Sequence, residues 1–178
     1  MIRQAGLVFG DLEPESVDMP FGVSSGAGVI FGVTGGVTEA VIRRLSDDKS
    51  TTALRAIAFN GVRGMQGVKE TAVEIGGSTV RIAIVSGLGN ARRLLERMKA
   101  GDCPYDFIEV MACPGGCVAG AGQPFATRAE KERRGQGLYS ADRMSAIKRS
   151  EENYAVTALY DSVLKGRVHE LLHVEYGE

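Results

Sequence analysis

Apolar residues at Val37, Ala40, Val41 and Leu45 recur at i, i+3, i+4 and i+8, which predicts a helix with those four facing inward. Thr34 is placed to cap it. Arg43 and Arg44 near its end complement the helix dipole, and the polar stretch 46–52 stops it. Residues 55–59 (Arg-Ala-Ile-Ala-Phe) alternate and predict a strand. Looser alternation over 68–75, then Gly76-Gly77 and the apolar run 80–85, predicts a hairpin. A Gly-rich turn at 86–90 opens a helix over 91–99, with Leu94, Leu95 and Met98 inward, and 105–111 reads as a further strand. After Pro124 a polar, basic segment extends to about 137, followed by a short helix over 138–148. Ser150 can cap another helix, striped by Val156, Leu159, Tyr160, Val163 and Leu164 and broken at Gly166. The strand–helix–strand order predicts an α/β fold with a mainly parallel sheet flanked by helices.

The two ends and the Gly-rich stretch refine that outline. Residues 1–20 read as a short helix or loop. Segment 21–36 is dense in Gly and Ser yet holds Val29-Ile30-Phe31, so it is predicted to pack its backbone closely against a neighbour. Residues 168–174 read as a buried C-terminal element whose two histidines hydrogen-bond locally. At 178 residues the chain has room for a single domain, 1–178, within which 125–178 forms a helical C-terminal extension. A formal net charge of −1 generates no global field toward nucleic acid or an anionic membrane surface. The basic stretch 128–134 interleaves glutamates and reads as a solvated face. No apolar run approaches the roughly 20 residues that span a bilayer. Three cysteines without a leader segment point to a reducing, cytoplasmic setting rather than a disulfide framework.

The chemistry concentrates where the last predicted strand ends, in Cys113-Pro114-Gly115-Gly116-Cys117. Proline removes a donor and the glycines reach left-handed conformations, so the turn can fold tightly and aim both sulfurs one way. Its free N–H groups can line an anion-favouring hollow, which suits an iron–sulfur centre. The spacing is not the C-x-x-C of structural zinc or thioredoxin-like sites. It begins a radical-SAM pattern, but Gly120 stands where the third cysteine belongs. Cys103 reads as a core or loop residue. The Gly87-x-Gly89 turn has Arg92 at the third glycine of a dinucleotide fingerprint and reads as a plain βα turn. His169-Glu170-Leu171-Leu172-His173 matches the H-E-x-x-H zinc pattern, but only five residues remain beyond it for a third ligand.

Glu109-x-Met111-Ala112-Cys113-Pro114-Gly115-Gly116-Cys117-x-x-Gly120-x-Gly122-Gln123-Pro124 resembles the third cysteine motif of the iron-only (FeFe) hydrogenases. Residues 26–40 and the terminal stretch 150–173 resemble the same family, and the spacing between these blocks also fits, so nearly the whole chain is covered. The resemblance implies the C-terminal lobe of the catalytic domain, beside an H-cluster: a 4Fe-4S cubane joined to a di-iron subcluster. By motif, Cys113 is a cubane ligand and Cys117 bridges the two parts. Phe31, Met111 and the Gly32 backbone line the di-iron pocket. The family's two earlier motifs, Thr-Ser-Cys-Cys-Pro and Met-Pro-Cys followed by lysine, are absent, and with them the other cubane ligands and the proton relay. The complete enzyme would interconvert protons and electrons with dihydrogen. The isolated chain is expected to be inactive and to bind no cofactor alone. Its implied partners are the N-terminal half of the catalytic domain, on the same or a separate chain, and an electron carrier such as ferredoxin or NAD(P) reached through other domains. The alternatives are a non-catalytic subunit that completes an iron–sulfur site on another chain, and an H-E-x-x-H zinc peptidase.

Overall fold

The computed structural model describes residues 1–16, 18, 21–46, 48, 50–57 and 61–175. Three strands form its sheet. β1 (Val68–Ile75) and β2 (Ser78–Ser86) pair antiparallel from Val68↔Val85 to Ile75↔Ser78, and β2 pairs parallel with β3 (Phe107–Met111). The hairpin is the predicted one. Its two-residue turn needs φ > 0 at both positions, and Gly76 (φ 56°) and Gly77 (φ 78°) supply it. The architecture is α/β with helices around a sheet, as expected. The sheet is mixed rather than mainly parallel, because the hairpin contributes one of its two pairings.

The helices, in chain order, are α1 (Gly26–Val29), α2 (Gly36–Leu45), α3 (Thr51–Ile57), α4 (Leu88–Lys99), α5 (Arg128–Met144), α6 (Tyr154–Asp161) and α7 (Val168–Leu172). The central strand β2 is covered on both faces. Ile82 and Ile84 join Ile42, Ile57, Val62 and Val73 on one side, while Ala83 and Val85 meet Ala91 and Leu94 of α4 on the other. A third cluster, Ile30, Val33, Val118 and Tyr139, sits beside the cysteine turn.

Several local expectations are overturned. Residues 55–57 lie in α3 rather than a strand: the Ser50 hydroxyl accepts from the Ala53 N–H and starts a helix there. Ala58 and Phe59, the rest of that expected strand, lie outside the described residues. The polar, basic segment to about 137 and the short helix expected over 138–148 are not separate elements. Arg128–Met144 is the single helix α5, started by a capping box in which Thr127 and Glu130 satisfy each other's backbone N–H groups. In α4 only Ala91 and Leu94 are buried, and Leu95 and Met98 face out. The stripe expected in α6 covers no buried core, and α7 is an exposed helix rather than a buried terminus. The close packing expected of 21–36 is present: a Cβ on Gly36 would lie 1.7 Å from the Ile30 carbonyl oxygen, and one on Gly26 would lie 2.2 Å from Asp142 Oδ1.

The largest reversal is α2. Its buried side is Thr38, Glu39, Ile42 and Arg43, not the apolar set. Val37, Ala40 and Val41 are only partly covered, and Leu45 is exposed. The reason is an ion cluster. Arg43 donates to both carboxylate oxygens of Asp142 on α5 (2.8 and 2.7 Å) and to Glu39 (2.5 Å). Arg63 binds Glu39 through Nε and Nη2 (2.8 Å each), reaches Asp142 at 3.2 Å and lies over the Tyr139 ring at 4.2 Å. Two cations and two anions balance, which is the condition for keeping charges this deep.

Candidate metal centre

β3 delivers the cysteine turn at its carboxyl end, where open α/β folds carry their sites. The Gly87 N–H donates to the Met111 carbonyl (2.8 Å), tying the strand end to the turn that opens α4. Gly115 and Gly116 follow with φ of 93° and 96°, conformations that side chains disfavour. The Thr34 N–H donates to the Gly115 carbonyl (3.2 Å), and the Gly116 N–H donates back to the Cys113 carbonyl (3.0 Å). A Cβ at Gly116 would stand 2.8 Å from both the Gly32 carbonyl oxygen and the Thr34 nitrogen. The turn is therefore pressed, backbone to backbone, on residues 32–34. At its other end a Cβ on Gly120 would stand 3.2 Å from Cys113 Sγ, so that glycine leaves the sulfur room. Cys113 is half-buried, Cys117 is exposed, and both are free thiols, as is the half-buried Cys103.

The other predicted pocket residues are distributed unevenly. Gly32 lies against the turn and also faces α5, where a Cβ would meet Leu138 at 2.7 Å. Met111 is half-buried at the strand end. Phe31 is 44% exposed and lines a groove between α2 and α6 with Ala40, Val41 and Tyr160.

Beneath the turn lie two buried charges to which the sequence reading assigned no role. Glu109 of β3 accepts from the Gly35 N–H, the Thr38 N–H and the Thr38 hydroxyl, each at 2.7 Å. It caps α2 from across the fold, a carboxylate at the positive end of a helix dipole. The cap residue itself is Gly35, not Thr34. Lys69 points inward from β1 and spends its ammonium protons on the carbonyls of Thr34 (2.9 Å), Val62 (2.7 Å) and Gly64 (2.9 Å). One signal was available: Lys69 shares strand parity with the buried Val73.

Burial pulls the Lys69 pKa down to about 8, against the opposing pull of Glu109 and Glu39. An unfolded lysine titrates near 10.4. Between these values the unfolded chain binds more protons than the folded one, so stability rises with pH there, by up to roughly 1.4 kcal/mol per unit. Tyr139, which burial pushes up to about 12, opposes the trend above its ordinary value near 10. Urea midpoints should therefore increase from pH 8 to 9.5. A flat or falling midpoint across that window would contradict a Lys69 pKa lowered by burial.

Glu170 is occupied by Arg167 (3.0 and 2.7 Å), and the Nδ1 atoms of His169 and His173 contact each other at 2.7 Å. Among the described residues, no three His, Cys, Asp or Glu side chains converge as a metal site. The cysteine turn brings two free thiols, Cys113 and Cys117, to the carboxyl end of β3. Among the described residues no helix is long and apolar enough to cross a membrane.

Comparison with known proteins identifies the family. Residues 1–121 match the family described as iron only hydrogenase large subunit, C-terminal domain, and residues 128–178 match iron hydrogenase small subunit. The NADP-reducing hydrogenase subunit HndD of Solidesulfovibrio fructosivorans is 40% identical over 182 residues, covering 99% of this chain and 31% of that protein. Iron hydrogenase 1 of Clostridium pasteurianum is 38% identical over 186 residues, covering 99% and 32%. A solved variant of FeFe-hydrogenase HydA1 from Chlamydomonas reinhardtii superposes with a TM-score of 0.63 at 36% identity, over 98% of this chain and 52% of that one. The chain spans about a third of the length of the two relatives. With the cysteine turn at its strand end and the family match over residues 1–121, this chain belongs to the iron-only hydrogenase large-subunit family, in its C-terminal domain.

Proposed function

We propose that the chain is the C-terminal lobe of an FeFe-hydrogenase catalytic domain, contributing Cys113 and Cys117 to an H-cluster that an N-terminal half completes. The observation that carries this reading is the glycine-built turn. It holds two thiols at a strand end, one half-buried and one exposed, and no other ligand group joins them among the described residues. When bound, the cluster supplies the redox chemistry by which protons and electrons interconvert with dihydrogen. This chain's share is ligation and shielding. Cys113 and Cys117 would hold the cluster, and Phe31, Met111 and the Gly32 backbone would keep water from it. Residues 125–178 act as a helical extension that buttresses the turn: the Arg134 guanidinium donates to the Val118 carbonyl (3.1 Å), and Leu138 packs on Gly32. The lobe works in the cytoplasm and draws electrons from ferredoxin or NAD(P) through other domains. Alone it is inactive, for want of two thiolates and a proton relay.

Reconstitution with iron and sulfide tests this. The isolated chain should retain no stoichiometric four-iron cluster and evolve no hydrogen from a reduced dye. Co-expression with a hydrogenase N-terminal half should yield a complex whose 4Fe-4S electron paramagnetic resonance signal disappears in Cys113→Ala. Full cluster content or hydrogen evolution by the chain alone, or an undiminished signal in the variant, would overturn the proposal.

A further inference from the structure

Away from the cysteines, a cavity of about 660 Å³ opens between the 61–66 loop and α5. That is the size range of small-molecule sites. Three guanidiniums line it, from Arg63, Arg128 and Arg143; Glu132 is the carboxylate in its wall and pairs with Arg128, while Glu39 and Asp142 behind the wall balance Arg63. Arg63 is already fixed in place. Its Nε and Nη2 are held by Glu39 and Asp142 and its plane lies over Tyr139, while Nη1 has no acceptor among the described residues. A guanidinium immobilised on one edge and free on another loses little entropy on taking a ligand. Arg128 gives Nε to Glu132 and Arg143 gives Nη2 to the Ser140 hydroxyl, and each keeps further donors. Gly61 and Gly64 form part of the wall and place no side chain in the way. A smaller recess of about 240 Å³ shares Met65 and Arg128 with the cavity, adds Lys131 and ends on Pro114 and Gly115 of the cysteine turn.

We propose that this cavity is a binding site for a small multivalent oxyanion of the phosphate or carboxylate class, recognised by Arg63, Arg128 and Arg143. The chain's overall charge of −1 does not concentrate anions, so the selectivity belongs to the cavity. Planar guanidiniums match both phosphate and carboxylate through paired N–H groups, and a concave wall strengthens them relative to open surface. The site is independent of the cysteine assignment, and neither depends on the other.

Calorimetric titration of the full chain with pyrophosphate and, separately, with citrate tests it at low ionic strength. Saturable one-to-one binding of either is expected, and the better of the two identifies the oxyanion. Affinity should fall by about tenfold or more in the Arg128→Gln/Arg143→Gln double variant, the loss expected when charge-assisted pairs are removed. Both positions are exposed, so circular dichroism melts should match the parent. The Arg92→Gln/Arg93→Gln double variant removes the same charge from α4 and should bind as the parent does. Absence of saturation with either anion up to about 10 mM, where even millimolar affinity would register, overturns the proposal. Equal weakening by the two double variants overturns it too.

Discussion

Asp142→Ala should lower stability by about 3–5 kcal/mol, the loss typical of removing one partner from a buried ion pair. Asp142 is 4% exposed and anchors two cations. Burial works to raise its pKa, but hydrogen bonding and charge from Arg43, with Arg63 and Lys148, hold it below the ordinary aspartate value. Its removal leaves Arg43 and Arg63 with only Glu39, an uncompensated positive charge inside the fold. No apolar packing replaces it, because α2 has turned its polar side inward. For a domain whose total stability is on the order of 5–15 kcal/mol, that is a large fraction. The comparison is Arg167→Ala, which removes a guanidinium from the exposed pair with Glu170 and should leave the midpoint close to the parent's. Urea titrations of both variants decide it: matching midpoints would mean the cluster does not hold α5 to α2.

Gly116→Ala should be the most damaging small change at the site. Its backbone (φ 96°, ψ −169°) lies in a region reserved for glycine, where another residue costs on the order of 1–3 kcal/mol. The added methyl would also stand 2.8 Å from two backbone atoms and 2.9 Å from a third, the Val33 carbonyl carbon, none of which can rotate away. The turn must move off residues 32–34, giving up the bond from Thr34 to Gly115 and displacing Cys117, the next residue. The expected outcome is a domain that still folds but loses most of its iron on reconstitution with an N-terminal half. Gly122→Ala is the reference. It too has a positive φ, 91°, but open space around its Cα, so strain without collision should leave iron content near the parent's. Equal iron in all three proteins would refute the claim that backbone contact sets the position of the turn.

The features legible from sequence are those made by neighbours in the chain. Two glycines between alternating strands specified the hairpin, and the Cys-Pro-Gly-Gly-Cys turn at a strand end carried the family. Glycine crowding in 21–36 foretold backbone contact. The start of α5 was also legible in Thr127-Arg128-Ala129-Glu130, a capping box, but the basic run holding Gly135 and Gly137 read as a polar segment ahead of a short helix. Gly135 is there because a Cβ would meet Val33 Cγ1 at 3.2 Å, a contact across the fold and invisible along the chain.

Tertiary structure alone decided which side of α2 faces in. Periodicity favoured Val37, Ala40, Val41 and Leu45, and it was overridden because Arg43 finds Asp142 ninety-nine positions away. The cap of α2 comes from Glu109, seventy-one positions from Thr38, and the lysine of β1 is tolerated inward because three carbonyls from two loops meet its ammonium. A charged side chain read in isolation belongs in water, since its desolvation outweighs what its neighbours in sequence can return. Only when the chain has closed do distant partners offset that cost, and their positions are a property of the fold rather than of any local pattern.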